Sequence, residues 1–291
     1  MKIIPYQQID FEKFEKCIRE SCQYTLYAEK CFLDVVSPSW ELIVAGDYEA
    51  VMPVPIVKKW GVKWVIMPML CQQLGVFAKE DNSNRNEAFL SFFLKSYKVI
   101  NYHFNTHNRF NILNHHKTNF YLAQNNYQEV RMGYTISRRR NARPLASAEI
   151  KIGNSLTKDL KNFFLQYQKG YSPKSTLKEL KFIEYFQSQG KMHYVSCYWK
   201  GNLNSLAILL ELNNTIILSG FINLPKLENY NIPSLVIDAA LKKFIENKNF
   251  DFYGSQIPSV AEFNQRFGAL KTFYPVINHT KLQIIKSFFF K

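Results

Sequence analysis

The chain has 291 residues, nearly half of them apolar or aromatic, which is enough for two domains with cores of their own. It opens without a charged and then apolar leader, and no apolar run approaches the ~18 residues of a membrane span, so a cytoplasmic protein is expected. The five cysteines include no CxxC pair, which excludes a zinc knuckle or disulfide framework from the expectations, and no metal is expected; the net charge of +14 is spread along the chain apart from one run at residues 138–143.

In chain order, apolar positions 6, 9, 11, 14 and 18 predict a helix from Tyr6 to Arg19 capped by Asp10. Two strands follow, Trp40 to Ala45 and Ala50 to Val57, joined at Gly46-Asp47. Pro53 and Pro55 each lack a ladder donor, so the second of these strands needs one irregular or edge-facing side. Trp64 to Met67 reads as a strand, Glu87 to Tyr97 as a helix and Val99 to Phe104 as a strand. The Asn- and His-rich stretch 105–126 reads as surface loop, and the adjacent His115 and His116 cannot share a helix face to hold a metal.

In the second half, residues 147–152 alternate as a strand, and Leu156 to Tyr167 and Lys174 to Gln189 read as helices, the latter ended by Gly190. Three antiparallel strands follow at 194–199, 205–212 and 215–221, with turns at Lys200-Gly201-Asn202 and Asn213-Asn214. Ile232 to Ile245 is a helix with Pro233 in its first turn. Phe250 to Ser255 reads as a strand and tight turn, and apolar positions 260, 263 and 267 make a helix after Pro258. Both halves run helix, antiparallel strands, helix, strand. Two α+β domains are therefore expected, 1–143 and 144–291, joined near residues 128–148.

This order resembles the GCN5-related N-acyltransferase fold, and two such units in tandem resemble its FemABX-like branch. The residues that carry the resemblance are Cys71-Gln72-Gln73-Leu74-Gly75-Val76-Phe77, Arg138-Arg139-Arg140-Asn141-Ala142-Arg143, Ile232-Pro233-Ser234-Leu235, Asp251-Phe252-Tyr253-Gly254-Ser255 and Phe263-Asn264-Gln265-Arg266-Phe267-Gly268-Ala269. The resemblance implies two tandem domains, each a mixed and mostly antiparallel sheet flanked by helices, with the donor site in the C-terminal one. It implies transfer of an acyl or aminoacyl group, from acyl-CoA or aminoacyl-tRNA, onto an amine bound between the domains. The acceptor would be a small molecule, a peptide or a cell-wall precursor, and no metal takes part.

That chemistry needs three devices. Donor phosphates need backbone amides at a helix start, which the resemblance places at Tyr230-Asn231-Ile232-Pro233-Ser234. The Gly-rich Q/R-x-x-G-x-G/A loop of ordinary acetyl-CoA-dependent members is absent there. The oxyanion needs a preorganised donor, which the resemblance places on the strand backbone at Ser219-Gly220-Phe221, although Gly220 also reads as a simple strand bulge. The protons need an acceptor and a donor: Glu211, Asp251 and Glu262 are the carboxylates considered, and Tyr230, Tyr253 and Tyr274 the phenols. Each carboxylate also reads as an ordinary strand-end or helix-face charge. The Tyr acid of ordinary members would fall four residues before Gly268, where this chain has Asn264. Gln72, Gln73, Arg139, Arg140, Arg143, Gly254 and Ser255 are expected to border the acceptor cleft, the arginines attracting an anionic group. The missing loop and missing Tyr support the alternative of a catalytically inactive binding or scaffolding protein of the same fold.

Overall fold

The computed structural model describes residues 1–37, 39–59, 61–170, 172–224, 231–280 and 283. The chain is of the α+β class, with two mixed sheets flanked by helices. Packing divides it into two units, one of Met1–Lys117 with the residues from Phe273 on, the other of Thr118–Thr272. The boundary expected at residues 143 and 144 falls inside the second unit. The segment expected to be a linker packs into that unit's core through Val130 and Tyr134.

The first unit contains β1 (Lys2–Pro5), α1 (Phe11–Glu20), α2 (Lys30–Val36), β2 (Trp40–Ala45), β3 (Ala50–Lys59), β4 (Val62–Val65), β5 (Phe77–Ala78), α3 (Ser83–Ser96), β6 (Lys98–Val99) and β7 (Asn101–His103). Its sheet runs β1-β2-β3-β4-β6, with β5 also on β3. The Asp10 side chain accepts the Lys13 N–H at 3.1 Å and starts α1 at the expected place. β3 meets the requirement of its two prolines: β5 pairs with Ala50 and Val51, β4 with Ile56 to Lys59, and from Met52 to Pro55 the ladder partner is β2 alone.

The stretch expected to be a surface loop is partly interior. Asn105 and Asn108 are buried, and the Asn108 amide bonds both the N–H (3.0 Å) and the carbonyl (2.8 Å) of Val76. A side-chain amide presents the same donor and acceptor as a peptide group, so Asn108 stands in for a strand neighbour.

The second unit contains β8 (His116–Leu122), α4 (Tyr127–Met132), α5 (Ile136–Asn141), β9 (Ala148–Gly153), α6 (Lys158–Tyr167), α7 (Pro173–Ser188), β10 (Met192–Trp199), β11 (Asn202–Leu212), β12 (Thr215–Asn223), α8 (Ile232–Phe244), β13 (Asn249–Asp251) and α9 (Pro258–Gln265). Its strands run β8-β13-β12-β11-β10-β9. All pairs are antiparallel except β12 with β13. Thr157 caps α6, and Ser172 with Pro173 at the first turn starts α7. α8 buries Val236, Ile237, Ala240 and Leu241 in a core with Val195, Leu209, Ile216 and Phe250. The last described strand, β14 (Leu270–Asn278), pairs antiparallel with β7, placing Val276 opposite His103.

Candidate functional site

β12 and β13 are paired only from Thr215 to Ile217 and from Asn249 to Asp251. Two local features go with the end of this ladder. On β12 the register against β11 slips, with Ile208 opposite Gly220 but Leu209 opposite Leu218, which leaves Ser219 as the extra residue of a β-bulge. The Ser219 hydroxyl donates to the Ile208 carbonyl at 3.0 Å and holds the bulge. Past β13 the chain turns away through Tyr253 and Gly254, both at φ +64°. The left-handed region costs Gly nothing and Tyr about 1 kcal/mol or more. Asp251 Oδ1 accepts the Tyr253 N–H at 2.7 Å and so braces the costly residue.

A cavity of about 840 Å³ fills the gap. Its walls include β12 from Leu218 to Asn223 with Leu224 after it, the turn at Tyr253 and Gly254, the first turn of α8 at Pro233, and α9 at Phe263 and Asn264. That volume lies in the range of small-molecule and cofactor sites.

Two ionisable side chains in the cavity wall are buried. Glu179, from α7, is 2% exposed, and burial raises its carboxyl to about 7 against the hydrogen bond from Gln168, 2.9 Å to Oε2. Its other oxygen faces the bulge: a Cβ placed on Gly220 would lie 3.7 Å from Glu179 Oε1. With no side chain at Gly220, the carboxylate looks onto bare strand backbone. Arg138, from α5, is 5% exposed and hydrogen-bonded to Ser234 Oγ and to the Phe263 carbonyl, the latter at 3.2 Å. Its guanidinium carbon lies 4.1 Å from the Phe263 ring centre and 4.4 Å from that of Phe267. Burial first, and the Arg266 charge second, lower it to about 10, so it stays charged at neutral pH.

Ser219, Gly220, Phe221, Pro233, Tyr253 and Gly254, all expected from the sequence, line this one cavity. Ile232 and Ser234 are buried in the first turn of α8, and Asn231 precedes that turn without a capping side-chain bond. Tyr230 lies outside the described residues. Asp251 ends the β13 ladder, and burial raises its carboxyl to about 6 against bonds from the Tyr253 N–H and Asn119.

The other expected residues are not among those that line the cavity. Glu211, at the far end of β11, is held by His193 at 2.7 Å and Lys248 at 3.0 Å. Desolvation pushes its carboxyl up, but those bonds outweigh it and leave the group below its ordinary value. Glu262 is exposed on α9 and paired with Arg266 at 2.5 Å. The Ser255 carbonyl accepts from Thr118 Oγ1 at 3.0 Å, and its hydroxyl accepts from the Ile257 N–H. Gln72 and Gln73 are buried in the first unit, bonded to each other at 2.9 Å, with Gln73 Oε1 taking two bonds from Thr106. Arg139, Arg140 and Arg143 are exposed.

Of the run 138–143, Arg138 and Asn141 line the cavity, and Arg139, Arg140 and Arg143 do not. Arg138 is the buried residue of α5, whereas 139 and 140 fall on its outer face. Glu179 was missed. Its signal is a carboxylate inside an apolar stripe, since Thr176, Leu180, Ile183 and Phe186 of the same helix are buried.

No protein-family model and no curated protein sequence matches the chain. Solved structures do. The crystal structure of FemX superimposes with a TM-score of 0.62 at 9% identity, over 96% of this chain and 98% of that one. A tandem GNAT protein from the clavulanic acid biosynthesis pathway, solved without AcCoA, gives 0.56 at 9% over 95% and 98%. A conserved protein of unknown function from Bacteroides thetaiotaomicron gives 0.51 at 8% over 94% and 100%. The splayed strands and bulge of the second unit thus sit in a chain that has the FemABX-like tandem GCN5-related N-acyltransferase fold.

Proposed function

We propose that the protein transfers an acyl or aminoacyl group onto an amine in the cavity of the second unit. The observation that carries this reading is that Glu179 and the Ser219-Gly220 bulge line that cavity side by side. A bulge frees strand backbone from its ladder, and a backbone N–H aimed into a low-dielectric cavity is the device that stabilises a tetrahedral oxyanion. A buried carboxyl near 7 is matched to taking a proton at neutral pH. Glu179 replaces the carboxylates expected from the sequence in this role. It takes the proton of the ammonium; the freed nitrogen attacks the carbonyl carbon; the C–N bond forms as the bond to the thioester sulfur or ester oxygen breaks. The leaving atom takes its proton from Tyr253, which also lines the cavity, and the phenolate regains one from the attacking nitrogen, which sheds its second proton as the amide forms.

The donor is acyl-CoA or aminoacyl-tRNA, and the acceptor a small-molecule, peptide or cell-wall-precursor amine approaching on the Gly254 side. The binding-protein alternative has one observation in its favour, Asn264 in the cavity wall where ordinary members carry a Tyr acid. Acyl-CoA and aminoacyl-tRNA panels, each offered with a panel of primary amines, test the proposal by thiol release and by amide product in mass spectrometry. Turnover with either donor is expected. Donor binding without turnover would establish the binding-protein reading, and neither binding nor turnover would overturn both.

A further inference from the structure

Lys117 is a lysine held by an imidazole instead of a carboxylate. Its Nζ lies 3.0 Å from His103 Nε2, and no carboxylate pairs with it among the described residues; partial burial lowers its ammonium below the ordinary value. Lys13, Lys63 and Lys161 show the usual arrangement, each on an acidic side chain, at 2.6, 2.5 and 2.7 Å. An acid at that distance holds a lysine as ammonium. An imidazole and partial burial favour the neutral amine.

The fold sets the pair in place. His103 ends β7, and Lys117 is the second residue of β8. Between them Val276 of β14 stands opposite His103 and donates its N–H to the His115 carbonyl at 2.9 Å. All of these residues belong to the first unit. His103 Nδ1 lies 2.9 Å from the Gln72 carbonyl, which only accepts, so Nδ1 carries the ring proton and Nε2 turns a lone pair to Lys117. The Tyr274 ring packs 5.8 Å from the imidazole. Burial first, and the Lys117 charge second, lower His103 to about 4. The second cause disappears once Lys117 is neutral, so Nε2 becomes a better base when the amine has a proton to give up in attack.

We propose that Lys117 is a nucleophilic amine and a self-acylation site, with His103 as its proton acceptor and an acyl thioester as the reagent. The ammonium first loses a proton to water. The amine then attacks the thioester carbonyl carbon; the N–C bond forms, the C–S bond breaks and its electron pair leaves on sulfur. The nitrogen gives a proton to His103 Nε2, which passes it to the thiolate, so the products are the Lys117 amide and a free thiol. The Gln72 carbonyl holds the ring in position throughout. An acyl reagent suits the pair better than an aldehyde. Imine formation needs a proton delivered to the departing hydroxyl, and the one N–H of neutral His103 is committed to Gln72. Neither the cavity nor Glu179 takes part, so the inference stands apart from the transfer reaction proposed above.

The test is incubation of the full chain with S-acetyl-N-acetylcysteamine, a thioester without a nucleotide, followed by digestion and mass spectrometry of the lysines. Lys117 should be acetylated ahead of Lys13 and Lys161 in the same digest, a comparison that needs no variant. His103→Gln accepts a hydrogen bond from Lys117 but takes no proton, and should slow acetylation of Lys117 about 10²-fold or more, the effect of a positioned general base. His103→Asn keeps a donor for Gln72 and withdraws the acceptor from Lys117; it should do the same, and it serves if the Gln variant folds poorly. Labelling of Lys117 no faster than of Lys13, or at the wild-type rate in a folded His103 variant, would overturn the proposal. Acetylation at Lys117 in a protein with no transfer activity would sustain this site and sink the transferase reading. Transfer by a protein whose Lys117 stays unlabelled would do the reverse.

Discussion

In the first unit, Asn108 bonds both polar groups of Val76, Gln73 takes two bonds from Thr106, and the side chain of Gln23 reaches Ser21, Asp81 and Ala78. In the second unit, Arg138 and Glu179 are as deeply buried, yet one carries an unmet charge and the other turns an oxygen to a bare strand. A buried polar cluster whose valences close on themselves fixes a conformation. One whose valences open onto a cavity is set up for a ligand. Burial of polar groups alone does not mark a site; unspent bonding capacity beside a cavity does.

The comparison breaks most visibly at Glu179. Glu179→Gln should lower turnover about 10²- to 10⁴-fold, the range for loss of a positioned general base, with the donor KM little changed. The wild-type rate should rise with pH through about 7, where the carboxyl ionises, and the Gln variant should lose that limb. A pH–rate profile identical in the two proteins would remove Glu179 from the mechanism.

Asn108→Ala should show the opposite kind of damage. It strands the N–H and carbonyl of Val76, at about 1–3 kcal/mol for each buried group left without a partner, so a loss of about 2–6 kcal/mol is expected in chemical denaturation. Turnover per folded molecule should hold. A fall in kcat at full folding would mean that the Asn cluster serves the chemistry after all.

The contrast also explains what could be read from the sequence. The hairpins β10-β11-β12 were legible because their turns are local: Gly201, Lys200 and Asn213 adopt the positive φ that the turn residues announce. β8 and β14 were not, because their partners are distant in sequence and their own patterns are weak. β8 opens with four polar residues, and β14 carries Pro275, which counts against a strand. The bulge at Ser219-Gly220 was legible from its Gly. Arg138 and Glu179 were hidden for a shared reason: a charge in a basic run or on a Lys-rich helix reads as solvated until the fold shows which face is inside.

Stability against pH sharpens the comparison further. Glu179 has a folded-state pKa above its unfolded value, so its contribution to stability is full below the unfolded pKa and is lost as pH rises through about 7. Wild type should therefore weaken relative to Glu179→Gln between about pH 4.5 and 7, by up to about 3 kcal/mol, and run parallel to it above that. Urea midpoints of the two proteins from pH 4 to 8 give the difference directly. A flat difference would place Glu179 in water rather than in the cavity wall.

The smallest effect is expected at a carboxylate that the sequence made equally attractive. Glu262 sits one residue before Phe263 and two before Asn264, both in the cavity wall, so proximity along the chain favours it as strongly as any position. But successive residues of a helix point about 100° apart, and Phe263 and Asn264 turn inward while Glu262 reaches out to Arg266, one turn on. An exposed i,i+4 pair is worth about 0.3–0.5 kcal/mol and is screened by salt. Glu262→Gln should thus shift stability by no more than about 0.5 kcal/mol and leave kcat and its pH profile as in wild type. Because Arg266 borders the cavity, its release could change donor KM slightly at low salt, and that change should vanish as ionic strength rises. A loss of kcat at any salt would put the proton acceptor on α9 and return Glu179 to the role of a buried structural acid.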